Sequence, residues 1–224
     1  MPLSQLFAEA GDIVGAFLSD DAWAISEAMG ADGVWLLGLA VTLVGGALVL
    51  ALYRLVPFID RHLERTVMVW SYLVIAGIIF VEVFRRFVLS EQAAWSTTLP
   101  PYLFLIMTWF GCAYNVRLRT HLAFAEIRMS LPRGGQLFCS LLDAALWLGL
   151  CWVVIVTSGR VAANSAANFQ ILLGTDNVLQ WWLLSSVPVA FLLMAARVLE
   201  NLLDDIARYR AGVAVLKPAM IGGE

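Results

Sequence analysis

Five apolar stretches dominate this chain, at 34–55, 67–88, 99–116, 136–158 and 178–198. Each is near the roughly twenty residues that carry a helix through a hydrocarbon layer about 30 Å thick at about 1.5 Å per residue. The expected fold is therefore an all-α integral membrane protein with about five transmembrane helices. Composition agrees, because 61% of the 224 residues are hydrophobic and 14% are charged, whereas a soluble domain carries about 25% charged residues.

The same composition removes several function classes. A net charge of -3, one lysine and no Lys/Arg-rich run leave no electrostatic footprint for nucleic acid. Cys112, Cys139 and Cys151 all lie in apolar segments and form no Cys-x-x-Cys pair. Neither a disulfide framework nor a zinc site is signalled, and buried, inert thiols are expected.

Ahead of the first span, Leu3, Leu6, Phe7, Ala10, Ile13, Val14, Phe17 and Leu18 recur at helical spacing beside Glu9, Asp12, Asp20 and Asp21. This pattern predicts an acidic amphipathic helix at the membrane interface. The first thirty residues hold no Lys or Arg, so the basic region of a cleavable signal peptide is lacking and the N-terminus is expected to be retained.

Short loops rich in Lys and Arg stay cytoplasmic. With the N-terminus outside, the inner segments hold Arg54, Arg61, Arg65, Arg117, Arg119, Arg128, Arg133, Arg197, Arg208, Arg210 and Lys217. The outer ones hold Arg85, Arg86 and Arg160. Five crossings, N-terminus periplasmic and C-terminus cytoplasmic, fit this bias; a four-span alternative lays 34–55 on the surface and puts the N-terminus inside. Pro100 and Pro101 suit the first turn of the third span, and Thr175, Asp176 or Asn177 is placed to cap the fifth. Pro188 predicts a modest kink, freeing the Leu184 carbonyl for Ser185, Ser186 or a neighbouring helix. Trp23, Trp35, Trp95, Trp181 and Trp182 gather near the outer ends, as interfacial anchors do.

Catalytic chemistry is mostly missing from the sequence. His62 and His121 are the two histidines, both at cytoplasmic helix ends and without metal spacing. Two helical histidines can ligate a haem, which makes a haem-bearing cytochrome-type anchor the main enzyme-class rival, but both lie outside the apolar spans. No cofactor is expected. Charged groups inside a bilayer are costly and count as functional candidates. Asp143 is the clearest, about 10 Å into the fourth span at 1.5 Å per residue. Arg197, near the same side of the fifth, is placed to neutralise it; the other reading leaves Asp143 alone at the interface. Glu82, Arg85 and Arg86 are spaced for a local ion pair. Gly38, Thr42 and Gly46 repeat every four residues, a small-xxx-small face for close helix approach, with the partner helix internal or from another subunit.

Between Trp95 and Pro132 these elements fall into a pattern. Arg86-Phe87 ends one helix, Trp95 follows, then Trp109, Gly111, Arg117 and His121 lead to Leu131-Pro132. In that order they resemble the small membrane (Q) subunit of TRAP, tripartite ATP-independent periplasmic, transporters, over about 65–203. Two departures stand out. Ser96, Thr97 and Thr98 replace acids usual after the first Trp, and the family core usually has four helices. The resemblance divides the chain into an acidic arm (1–33), an extra helix with a basic linker (34–64), a four-helix core (65–203) and a cytoplasmic tail (204–224). It implies a non-catalytic scaffold in the bacterial inner membrane, held in lipid by Trp anchors and by an interfacial stretch at 117–129. The implied partners are a large sodium-coupled elevator subunit and a periplasmic substrate-binding protein. The implied substrate is a dicarboxylate or another small organic acid. An independent small channel is the remaining alternative.

Overall fold

The computed structural model describes residues 2–119 and 130–213. The described residues form helices α1 (Leu3–Leu18), α2 (Ala22–Ala28), α3 (Gly33–Leu55), α4 (Pro57–Leu89), α5 (Leu99–Leu118), α6 (Arg133–Ala167) and α7 (Gln180–Arg210). His121 and most of the 117–129 stretch lie outside them, as does 214–224.

Four of the five expected spans, α3, α4, α6 and α7, are long and apolar enough to cross a membrane. The third expected span is the 20-residue helix α5, which opens with Pro100 and Pro101 in its first turn. Its prolines, Tyr102, Tyr114 and Asn115 dilute its hydropathy, so α5 is not among those four. Helices outrun their apolar cores elsewhere. Residues 57–64, read as a linker, are the first turns of α4, begun by Pro57. The missing N–H of a proline costs nothing at that position.

The helices alternate in direction. At one end the start of α4 meets the C-terminal turn of α5 and the middle of α7 through Asp60, Arg117 and Arg197. At the other, Tyr102 of α5 meets Gln180 of α7 through a side-chain hydrogen bond. The first is the arginine end and the second the tryptophan end. Helix α5 therefore covers the same height as the apolar helices beside it.

Helix α7 is the hub. Half of its most apolar window is buried, against 6% for α4. One α7 face, Val187, Phe191, Met194 and Val198, packs on Ala113 and Val116 of α5 and on Ala144, Cys151 and Ile155 of α6. The other, Ala190, Leu193 and Ala196, packs on Leu50 and Tyr53 of α3 and Phe110 of α5. Ala190, Ala195 and Ala196 are fully buried, and such small side chains let helix axes approach where no hydrophobic effect drives association. The α7 helix is interrupted at Ser185, three residues before Pro188. Ser185 and Ser186 donate to the carbonyls of Trp181 (2.8 Å) and Leu183 (2.6 Å) rather than to that of Leu184.

Helices α1 and α2 form an arm across the tryptophan end. Glu9 accepts the Gly33 N–H at 2.8 Å, which satisfies one orphan donor at the start of α3. Ile13 and Met29 pack on Val34 and Val156. The apolar residues of α1 thus divide: Ile13 is buried, while Leu3, Phe7, Val14, Phe17 and Leu18 form an exposed apolar face.

Candidate functional site

The densest polar constellation sits at the arginine end, between α3, α4, α5 and α7. Arg197 is fully buried, and Glu64 is 1% exposed. The Arg197 guanidinium spends every N–H. Its Nε and Nη2 form a fork onto Glu64, at 2.7 and 2.9 Å. Nη1 serves Asp60 Oδ1 and Glu200 Oε2, and Nη2 also reaches the Asp60 carbonyl at 2.8 Å. The bidentate geometry is what a planar guanidinium offers and an ammonium does not. Tyr53 of α3 lies under the guanidinium, 3.9 Å from ring centroid to Cζ, and its hydroxyl donates to Glu64 at 3.0 Å. Arg117 closes the group by donating to the Asp60 carboxylate (3.1 Å) and carbonyl. One buried cation thus ties together α3, α4 and α7, and Asp60 brings in α5.

A second cluster joins the last turns of α5 and α7. Arg119 adopts the left-handed conformation, φ 55°, and ends α5. It donates to Asn201 Oδ1 (3.1 Å), to the Asn201 carbonyl (2.9 Å) and to Asp205 (2.6 Å). Asn201 in turn donates to the Val116 carbonyl at 2.8 Å, which also accepts the Arg119 N–H at 3.2 Å.

The expected neutralisation of Asp143 by Arg197 is not made. All five guanidinium hydrogens go to Asp60, Glu64 and Glu200, because Arg197 continues the Ala190–Leu193 face of α7 toward α3 and α4. The partly buried Asp143 lies on α6, which packs on the opposite α7 face. The ion pair expected around Glu82 is likewise replaced. Glu82 accepts the Ala93 N–H at 3.0 Å, Arg85 faces Glu91 at 3.7 Å, and Arg86 is exposed.

The small-residue face of α3 packs internally, on two helices. A Cβ at Gly38 would stand 2.2 Å from Val156 Cγ2 of α6, and one at Gly46 3.3 to 3.5 Å from Leu199, Ala195 and Ala196 of α7. Thr42, fully buried between them, donates to the Gly38 carbonyl at 2.8 Å. A π-helical turn, Val41–Gly45, separates the two contacts. Trp109 packs on Phe191 with centroids 4.8 Å apart. Gly111 faces α4, where a Cβ would meet Met68 Sδ at 3.2 Å.

At the tryptophan end, the turn around Trp95 docks on the loop before α7. Residues 175–177, read as a helix cap, belong instead to that loop, closed by Leu172 N–H to the Val178 carbonyl and Gln180 N–H to the Gln170 carbonyl, both 2.8 Å. Gly174, φ 81°, lies so close to Ala94 that a Cβ would approach its carbonyl carbon to 2.4 Å. Thr98, one of the residues standing where acids were expected, donates to the Leu173 carbonyl at 2.6 Å. Trp152 donates to the Trp35 carbonyl at 2.8 Å. Arg160 caps the end of α2 through the carbonyls of Met29 (2.7 Å) and Ala31 (3.1 Å).

Sequence reasoning missed Asp60, Glu64 and Tyr53. A signal existed, since Asp60 and Glu64 are acids four residues apart in a segment that otherwise reads as basic. Among the described residues no group of three or more His, Cys, Asp or Glu could hold a metal ion; the acids at the arginine end face the guanidinium groups of Arg197, Arg117 and Arg119. His62 is exposed, stacked on Phe58, with Nδ1 3.0 Å from the Phe58 carbonyl.

Comparison with known proteins places this architecture. Residues 75–208 match the family model described as tripartite ATP-independent periplasmic transporters, DctQ component. The chain is also similar to the sialic acid TRAP transporter small permease protein SiaQ of Vibrio cholerae serotype O1. The two are 23% identical over 147 residues, which is 65% of this chain and 83% of the relative.

Proposed function

The chain belongs to the DctQ-component family of tripartite ATP-independent periplasmic transporters and is a small permease component of such a transporter; from that premise we propose that it is the static scaffold of its complex. In this reading it performs no catalysis. It lies in the bacterial inner membrane, binds a large membrane subunit, and works with a periplasmic substrate-binding protein. The large subunit moves a small organic acid together with sodium, driven by sodium running down its gradient; a dicarboxylate is one such acid, and the sialic acid in the relative's name is another.

The observation that carries the scaffold reading is the Arg197 cluster. A buried cation held by three carboxylates and stacked on Tyr53 fixes four helices at one depth. Breaking such a pair costs several kcal/mol, so this end resists rearrangement. An elevator needs a part that stays still, and a body clamped in this way meets that need. Family membership favours this reading over a haem-bearing anchor or an independent channel. The positive-inside bias supports an orientation with the arginine end cytoplasmic and the arm periplasmic. Helix α5, equal in height to its neighbours, then serves as the fifth crossing, and 1–33 and 34–55 are additions to the family core.

The test is reconstitution. The chain and the large membrane protein encoded beside it should co-purify, and sodium-driven uptake in proteoliposomes should require both. Uptake by the large protein alone at the full rate would overturn the scaffold role. A periplasmic reporter fused to the N-terminus should be active, and a cytoplasmic signal would overturn the five-span arrangement.

A further inference from the structure

A cavity of about 430 Å³ lies between the arm and the bundle, walled by α2, α3, α6 and α7. Ile25, Val41, Ile155, Ala163 and Pro188 are representative of its almost wholly carbon lining. Packed interiors leave few voids larger than a water molecule, whereas ligand pockets of this size occur between the helices of bundles. Water gains little there, because it needs two to four polar partners. The Ser185 hydroxyl on the wall is already spent on the Trp181 carbonyl. Apart from Asp20, the rim is built of apolar side chains. Phe17 lines the cavity while 54% exposed, and Leu18, Trp23 and Trp182, chain neighbours of lining residues, are 83%, 64% and 66% exposed.

Asp20 is the charged residue of this lining. It is exposed, held in the left-handed conformation at φ 56°, and its carboxylate makes no hydrogen bond or ion pair with any described residue. An apolar slot that opens among lipid-facing aromatics, with a carboxylate at its rim, matches one amphipathic shape: a hydrocarbon chain below and a cation above.

We propose that this cavity is a lipid site, holding one acyl chain of a bilayer phospholipid whose ammonium head group faces Asp20, the chemistry of phosphatidylethanolamine. An acyl chain supplies the dispersion contacts that the walls forfeit when nothing fills them. The lipid then acts as a wedge that seats the arm on α3, α6 and α7. This site lies outside the residues matched by the family model on two of its walls, α2 and α3, and does not depend on the transport reading.

Native mass spectrometry of the full chain, purified in mild detergent and offered equal phosphatidylethanolamine and phosphatidylglycerol, tests this. The expected result is one retained phospholipid, with the ethanolamine form in excess. Ala163→Phe and Ala166→Phe, each filling the cavity, should lose it. Asp20→Asn should keep one lipid without head-group preference. In bilayers, dibromo-acyl phosphatidylethanolamine should quench the fluorescence lost in Trp181→Phe, saturating at one lipid per chain, a readout that needs neither filled variant to fold. No discrete lipid on the wild type, undiminished lipid on both filled variants, or quenching that never saturates would overturn the site. An unchanged preference in Asp20→Asn would overturn the head-group assignment.

Discussion

Replacing Arg197 by Met removes the cation but keeps most of the side-chain volume, and the three acids it served are affected unequally. Asp60 retains Arg117 at 3.1 Å. Glu200 has a side chain 42% exposed and can rehydrate. Glu64, 1% exposed, keeps only the Tyr53 hydroxyl in place of three hydrogen bonds. The cost therefore resides in one stranded carboxylate, and removal of one partner of a buried pair costs about 3–5 kcal/mol. At roughly 2–4 °C per kcal/mol for a chain of this size, the thermal midpoint should fall by about 6–20 °C. The assay is size-exclusion detection of protein remaining folded in detergent after a temperature series. The Arg197→Met/Glu64→Met pair should recover most of the loss, because replacing both members of a buried pair with apolar groups is often neutral. A single variant within about 2 °C of wild type, or a double variant as damaged as the sum of the singles, would refute the idea that Glu64 depends on Arg197; the 2 °C margin is about 1 kcal/mol on the same scale.

Other perturbations probe the remaining contacts. Gly38→Val places methyl groups where Val156 stands and should push α3 from α6, lowering the midpoint by several degrees; Val156→Ala in the same chain should restore part of it. Gly174→Ala combines a left-handed backbone with a clash against Ala94, so it should destabilise by more than the roughly 1 kcal/mol of the backbone preference alone, read as faster proteolysis in the 90–98 and 168–179 loops. Arg119→Gly keeps the left-handed turn but deletes the bonds to Asn201 and Asp205. Hydrogen exchange at the last turn of α5 should rise, whereas an unchanged rate would show that these bonds hold nothing.

The helices were legible because lipid solubility writes itself along the chain: twenty apolar residues are visible without knowing any neighbour. Arg197 illustrates what was not legible. Counting residues into a span gives depth, and by depth Asp143 was a reasonable partner. Azimuth decides contact, and it depends on which face of α7 meets which helix. Glu64 lies 133 residues from Arg197 in the chain, and no local spacing joins them. The acids at 60 and 64 were further concealed by Arg61 and Arg65, which served the topological count and made the segment look like a basic loop. The Gly38–Thr42–Gly46 repeat was readable as a packing surface, but its two partner helices became visible only in three dimensions. Thr98 shows the reverse, a departure from the family pattern that has its own local use, tying two loops together.

The wide turn at Val41–Gly45 gives α3 a property a regular helix lacks. Each residue of an α-helix advances the azimuth by about 100°, so an added or removed residue is a rotation as well as a translation. By taking up extra chain between its two glycines, α3 works as a phase adjuster that aims its upper half at one neighbour and its lower half at another. Deleting a single residue there would leave hydropathy, length and charge nearly untouched. It would also close the wide turn into an ordinary one with both glycines still facing their grooves, whereas the same deletion in a regular turn would swing one of them away by about 100°, so the register of this helix is written in an irregularity rather than in its composition.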